Sequence, residues 1–177
     1  LTALYHTMME EQLISRDSKI VCVDDGSRDD TWRMIADAHA VNPIIEGIKL
    51  SSNRGHQNAL LAGLLSVEPY CDCCISLDAD LQDDIAVIPE FIEKFRQGYD
   101  VVYGVRSRRE SDTAFKRITA GAYYKVLRLL GADVIENHAD YRLLSRRALG
   151  ALAEFPEVNL FLRGMVRLVG FRSGIVY

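Results

Sequence analysis

Short apolar β-like runs alternate with helical stretches four times between Lys19 and Gly131, and nothing else in the sequence narrows the fold as much. "KIVCVDDGS" is a strand that ends in acids and a glycine. "RDDTWRMIADAHA" follows with Trp32, Ile35, Ala36 and His39 on one helical face. Ser27, with Asp30 three residues on, resembles a capping box at the start of that helix. "IIEGIKL", "CDCCISLD" and "DVVYGVR" are three further strands. The helices between and after them are "SSNRGHQNALLAGLLSV", entered through Gly55, then "IAVIPEFIEKFRQG" and "AFKRITAGAYYKVLRLLG". Alternation at this spacing predicts an α/β domain with a mostly parallel, Rossmann-like sheet and crossover helices on both faces. Beyond Gly131 the rhythm breaks: "HADYRLLS" reads as a strand, "RRALGALAEF" and "LFLRGMVRLVG" as short helices, and "FRSGIVY" as a last strand. "LTALYHTMMEEQLI" opens the chain as an amphipathic helix with no strand before it. The 177 residues fit a single domain spanning 1–177, without repeats or a flexible linker.

In such sheets ligands bind at the carboxyl ends of the strands. Acids crowd at two of these ends: Asp24-Asp25 after the first strand, and Asp78, Asp80, Asp83 and Asp84 within "ISLDADLQDD" after the third. Carboxylates this close repel one another and resist losing water, so a cation would relieve the strain. Asp78 and Asp80, two residues apart on leaving a strand, point the same way and suit a hard divalent ion such as Mg2+ or Mn2+. The alternative is helix capping, a role that Asp83 and Asp84 can fill unaided. At the first cluster, Gly26 and Ser27 are explained by a turn and a helix cap, whereas Asp24 still belongs to the strand and can accept hydrogen bonds from a base or a ribose hydroxyl. Asn53, Arg54 and Gly55 precede a helix N-terminus, where backbone N–H groups attract anions. His56 reads as a helix-start residue and not a catalyst.

Charge is divided along the chain. Residues 1–100 hold 8 Lys/Arg against 18 Asp/Glu, and residues 101–177 hold 13 against 7, within a net charge of -4. An acidic half suits a cation and a basic half suits phosphates or an anionic surface. Arg106, Arg108 and Arg109 follow the fourth strand at its carboxyl end and are shaped for phosphate oxygens. No second cluster completes a zinc site with Cys71, Cys73 and Cys74, and these with Cys22 read as free, mostly buried thiols of a reducing compartment. No apolar run approaches the ~18–20 residues of a membrane span, and no signal peptide opens the sequence.

"VDDGSRDDT", "NRGHQNALLAG", "LDADLQDD", "GVRSRR" and "ADYRLLSRRAL" occur in the order found in family 2 inverting glycosyltransferases of the GT-A (nucleotide-diphospho-sugar transferase) fold. The chain most resembles the polyprenyl-phosphate branch, which includes dolichol-phosphate mannose synthases and bactoprenol glucosyltransferases. The resemblance runs from about Lys19 to Gly170. It implies metal-dependent inverting transfer of a sugar from a nucleotide-diphosphate sugar to a polyprenyl phosphate, in the service of a cell-envelope glycan or lipid. By the same resemblance, Asp24, Asp25 and Gly26 would face the nucleoside, with Asn53, Arg54, Asp78 and Ala79 around the nucleotide-sugar. Asp80 and Gln82, with Asp78, would meet the divalent cation. Asp140 would stand beside the reaction centre: as a general base if the acceptor is a hydroxyl, or as an orienting or charge-balancing group if it is an already anionic phosphate. Arg106, Arg108, Arg109, Arg142 and Arg163 would serve the donor or acceptor phosphates. The plainer reading of Asp140 is a structural ion pair with Arg142 or Arg146.

Where the family often has prolines after "LQD", this chain has Asp84-Ile85-Ala86, which changes the helix entry. The family's usual first strand and its C-terminal membrane segments lie outside this sequence, so it reads as part of a longer chain. "LFLRGMVRLVGF" resembles the family's membrane-surface helix, and a buried core helix fits the same pattern. The expected setting is the cytoplasmic face of a membrane, with no nucleic acid partner and with a homo-oligomer allowed. Four rival readings stand beside this one. A family 2 transferase could act on a sugar hydroxyl, and a non-catalytic relative could bind nucleotide-sugar or lipid. A phosphoacceptor receiver module would need a lysine at a later strand end, which "VVYGVR" does not supply. A nucleotidyltransferase would release diphosphate in place of a nucleoside diphosphate.

Overall fold

The structure is a computed structural model and describes residues 1–80, 82–105, 138–155 and 162–177. Its elements run α1 (Thr2–Glu10), β1 (Ile20–Asp24), α2 (Thr31–Val41), β2 (Ile45–Lys49), α3 (His56–Val67), β3 (Cys73–Ser76), α4 (Ile88–Arg96), β4 (Val101–Val105), β5 (His138–Ser145), α5 (Arg146–Ala153), α6 (Leu162–Leu168) and β6 (Ser173–Val176). Each strand and helix expected from the sequence within these residues is present. The helix expected after β4 lies outside the described residues.

The sheet is more divided than the alternation alone implies. β1 and β2 pair in parallel, with Ile20 opposite Ile45 and Asp24 opposite Lys49. The other four strands form a second sheet in the order β3-β5-β4-β6. In it β5 runs antiparallel to both neighbours, and β4 and β6 are parallel. The direction of β5 decides where the site falls. Ser76 sits opposite Arg142 in the register. An antiparallel strand that begins at His138 therefore brings Asp140 to the same edge of the sheet as the carboxyl end of β3.

Period-two alternation gives this sheet two apolar faces. Val101, Tyr103 and Leu144 pack with Leu64 of α3, with Leu149 and Leu152 of α5 and with Met165 of α6. Val102, Tyr141 and Leu143 pack on the other face with Phe91 and Ile92 of α4 and Met8 of α1. The result is a three-layer helix–sheet–helix core. The N-terminal amphipathic stretch is thus a core-facing helix, with Tyr5 and Met8 buried.

α2 begins at Thr31, later than the proposed capping box. Ser27 instead closes the turn after β1, where its N–H donates to Asp24 Oδ1 at 3.2 Å. Asp29 Oδ1 accepts from Thr31 N at 3.0 Å and orders the entry to the helix. The departure from the family's prolines at residues 84–86 takes the form of a short 3-10 turn, Ile85–Val87, capped by Asp84 through Ala86 N at 2.9 Å.

Candidate functional site

Asp24 ends β1 with its side chain buried. Oδ1 holds the Ser27 amide, whereas Oδ2 is buried without a hydrogen-bond partner among the described residues. Buried acceptors are rarely left unmatched, so this oxygen marks a place where an N–H or O–H is missing. Gly26 next to it has φ +66, and a Cβ there would come within 2.5 Å of the Ser52 backbone. The turn after β1 therefore rests directly on the loop that leaves β2, and only glycine fits the contact.

Asp25 locks the same loop. Its Oδ1 accepts from Arg54 N at 2.7 Å and its Oδ2 from Gly55 N at 2.8 Å. Asn53 Oδ1 shares the Gly55 amide at 3.2 Å. Amides that the sequence offered as an anion cradle are thus occupied by the chain's own carboxylate. Asp25 acts as a clasp, and the Arg54 side chain stays exposed.

From this clasp the chain enters α3, whose first two residues reach the second acid cluster. His56 Nε2 lies 2.9 Å from Asp140 Oδ2 and 3.8 Å from Asp78 Oδ1. Gln57 Nε2 donates to the same Asp140 oxygen at 3.2 Å, and Gln57 Oε1 accepts from Leu162 N, at the start of α6, at 3.3 Å. Asp140 Oδ1 pairs with the Arg142 guanidinium. Asp140 and Arg142 are sealed from solvent, at 2% and 1% exposure. Ser76 Oγ donates to the Asp140 carbonyl at 2.6 Å and stitches β3 to β5 beside the cluster.

On the β3 side, Asp78 is half-buried and its amide donates to buried Asp83 at 3.4 Å. Ala79 and Asp80 are exposed, and Asp80 Oδ1 accepts from Gln82 N at 3.0 Å in a tight turn. Of the two proposed capping acids, Asp84 does cap, whereas Asp83 reaches back to hold Asp78. Tyr141 donates to the Asp84 carbonyl at 2.9 Å. Burial, together with the charges of Asp83 and Asp84, holds the Tyr141 phenol well above its usual range. Among the described residues no three His, Cys, Asp or Glu side chains are gathered as a metal cage. The oxygens of Asp78, Asp80 and Gln82 are hard donors of the kind Mg2+ shares with substrate phosphates, needing only one or two carboxylates from the protein.

The structure therefore brings Asp78 and Asp140 together at His56 and joins Asp25 to them through the segment Arg54–Gln57. The guanidinium of Arg142, expected to serve a phosphate, is buried and pairs with Asp140. Of the two ion pairs foreseen for Asp140, the one with Arg142 forms, while Arg146 faces Asp72 at 4.0 Å and donates to the Cys71 carbonyl at 2.6 Å. Arg106, Arg108 and Arg109 lie outside the described residues, as does the side chain of Arg163. His56 and Gln57 are the site residues that the sequence reading passed over. The signal that could have found them was present, since a helix entered from the carboxyl end of a strand starts at the ligand edge of the sheet.

The chain is similar to known proteins across most of its length. The glycosyl transferase family 2 profile matches residues 9–152. YkoT of Bacillus subtilis, described as an uncharacterized glycosyltransferase, is 51% identical over 99% of this chain and 52% of its own length. A prophage bactoprenol glucosyl transferase homolog of Escherichia coli is 38% identical over 97% of this chain and 56% of its own. The bactoprenol glucosyl transferase of Shigella phage SfV is 36% identical over 99% and 57%. The chain spans a little over half the length of these relatives. With five motifs in order, acids gathered at one sheet edge and a profile match across most of its length, the chain belongs to glycosyl transferase family 2 and has the GT-A fold.

Proposed function

We propose that the protein transfers a sugar from a nucleotide-diphosphate sugar to a polyprenyl phosphate, with inversion at the anomeric carbon. The reading is carried by one observation: Asp78 and Asp140 converge on His56 at a single sheet edge, in a chain similar to proteins named bactoprenol glucosyl transferase. The orphaned Asp24 Oδ2 at the neighbouring strand end is an acceptor that a nucleoside donor would satisfy. An acceptor phosphate oxygen attacks the anomeric carbon, the bond from that carbon to the diphosphate oxygen breaks, and a nucleoside diphosphate leaves. A divalent cation, Mg2+ or Mn2+, bound with the donor would offset charge on the departing diphosphate. Asp78, Asp80 and Gln82 are the residues that would hold it. Positioning and charge stabilisation supply most of the rate gain.

The setting of Asp140 favours a phosphate over a hydroxyl acceptor. A general base needs an oxygen open to the incoming proton. Asp140 is buried, with Arg142 on one oxygen and His56 and Gln57 on the other. It balances charge and orients its neighbours, as an acceptor that is already anionic requires. Among the described residues no helix is long and apolar enough to cross a membrane. Contact with the cytoplasmic membrane face belongs to the proposal and would be made by α6, where Leu168 is exposed, together with the arginines after β4.

The test is a screen of nucleotide-sugars against a short polyprenyl phosphate on the full-length protein, with and without Mn2+. The expected result is Mn2+-dependent release of nucleoside diphosphate and a glycosyl lipid of inverted configuration. Transfer to a sugar hydroxyl with no product on the lipid phosphate would refute the acceptor assignment.

A further inference from the structure

Helix α3, strand β5 and helix α6 meet at the ligand edge of the sheet, and one half-buried side chain of the first bonds to both of the others. Gln57 lies in the first turn of α3. Its Nε2 donates to Asp140 Oδ2 of β5 at 3.2 Å, and its Oε1 accepts from Leu162 N, at the start of α6, at 3.3 Å. The direction of the amide follows from its partners. A backbone N–H can only donate, so the Gln57 oxygen faces Leu162 and the nitrogen is left to the carboxylate.

Its place on the helix makes this amide informative. Gln57, Leu60, Leu61 and Leu64 follow one another at helical spacing along one face of α3. The three leucines pack in the apolar layer that also holds Leu162, Met165 and Val166 of α6. Packing therefore fixes the body of α6, and an apolar residue at position 57 would extend the same stripe. Gln57 instead brings an acceptor to Leu162 N, one of the N–H groups that a helix start leaves without an intrahelical partner. The place of that start relative to Asp140 is set by the two Gln57 bonds. Neither bond goes to Asp24, Asp25, Asp78, Asp80 or Gln82, the residues proposed above for the nucleoside and the cation. Both lie toward β5 and α6, the helix proposed above to meet the membrane face that carries the lipid acceptor.

We infer that Gln57 is a positioning residue for the acceptor half of the reaction, holding the start of α6 at a set place against the Asp140 carboxylate. This rests on the glycosyltransferase reading above and adds to it a link between the reaction centre and the acceptor helix. A bond that serves only the fold would affect donor and acceptor alike when removed, whereas one that positions α6 affects the acceptor and spares the donor.

The experiment compares the full-length wild type with Gln57→Met, which keeps an unbranched side chain of similar length and removes both hydrogen-bonding ends. Nucleotide-sugar affinity should stay within about twofold of wild type, while kcat/KM for a short polyprenyl phosphate falls about tenfold. Hydrogen exchange should quicken by about the same factor at the Leu162 amide and stay unchanged in β4 and β5, with thermal unfolding near that of wild type. A Gln57→Met enzyme within about twofold of wild type toward the acceptor would overturn the assignment. So would a loss of donor affinity equal to the loss toward the acceptor, an unchanged Leu162 amide, or protection lost throughout β4 and β5. A wild type that transfers no sugar to polyprenyl phosphate overturns the reading beneath and this inference with it. A wild type that transfers while Gln57→Met transfers equally well overturns the inference alone.

Discussion

In the four-stranded sheet the run Val101–Tyr103 is almost wholly sealed from solvent, whereas α2, packed on the two-stranded sheet, buries no residue fully and leaves Met34 and Val41 exposed. The two regions supply acids to the same site by different means. The larger one holds Asp140 on a strand with apolar layers on both faces. The smaller one holds Asp24 and Asp25 on a pair of strands covered by a half-exposed helix and by α3, where Gly63 admits the Val23 side chain to within 2.7 Å of where a Cβ would stand. A groove lined by Trp32, Ile35, His39 and Gly47 remains open in that unit. Rigidity on one side thus comes from packing, and on the other from hydrogen bonds made by the loop Asn53–Gln57.

The largest expected effect falls on the packed side. Arg142→Ala leaves Asp140 as a buried charge without its guanidinium and should lower stability by about 3–5 kcal/mol in urea unfolding. A loss under about 1 kcal/mol would mean that partners other than Arg142, His56 and Gln57 among them, support the carboxylate. Next comes a matched pair of truncations. Leu143→Ala, at 0% exposure, should cost about 2–5 kcal/mol. Ile35→Ala in α2, only partly buried, should cost about 1 kcal/mol. Equal losses would erase the distinction between the two regions.

Asp25→Ala opens the clasp. Two amides lose a charged acceptor, and the cost should be about 1–2 kcal/mol, since water can replace part of the bond at an exposed loop. Hydrogen exchange offers the sharper reading: the Arg54 and Gly55 amides should lose protection while those of β4 and β5 keep theirs. Protection lost throughout the core would show that the loop supports more than the small unit.

This contrast also explains what was legible in the sequence. Strands and helices declared themselves because apolar periodicity is local, and the acids at strand ends followed from the topological rule for open sheets. The division into two sheets and the reversal of β5 were hidden, because strand direction depends on which edge the returning chain meets. "HADYRLLS" has the same pattern whichever way it runs. The role of Asp25 was hidden too, since its partners are backbone amides 29 and 30 residues away, which no side-chain motif announces. The family resemblance offers Arg142 to a phosphate, while its pairing with Asp140, also foreseen, depends on its place on an interior face of β5.

The cysteines report on the same contrast through pH. Burial raises the Cys22 thiol on β1 above its ordinary value, and raises Cys73 and Cys74 on β3 further, each to about 12. Neighbouring charge at Cys71 and Asp72 adds to the effect at Cys73. In the unfolded chain these thiols ionise near pH ~8.5. Between that value and about 12 the folded protein holds more protons than the unfolded one, so stability is fully present at lower pH and declines as pH rises. Urea midpoints should therefore fall from pH 8.5 toward pH 11, and the slope should flatten in a Cys73→Ala/Cys74→Ala variant more than in Cys22→Ala. Thiolate absorbance should show Cys22 ionising first. If all three ionise together near the unfolded value, water reaches β3 as freely as β1, and the sealed sheet is no drier than the small one beside it.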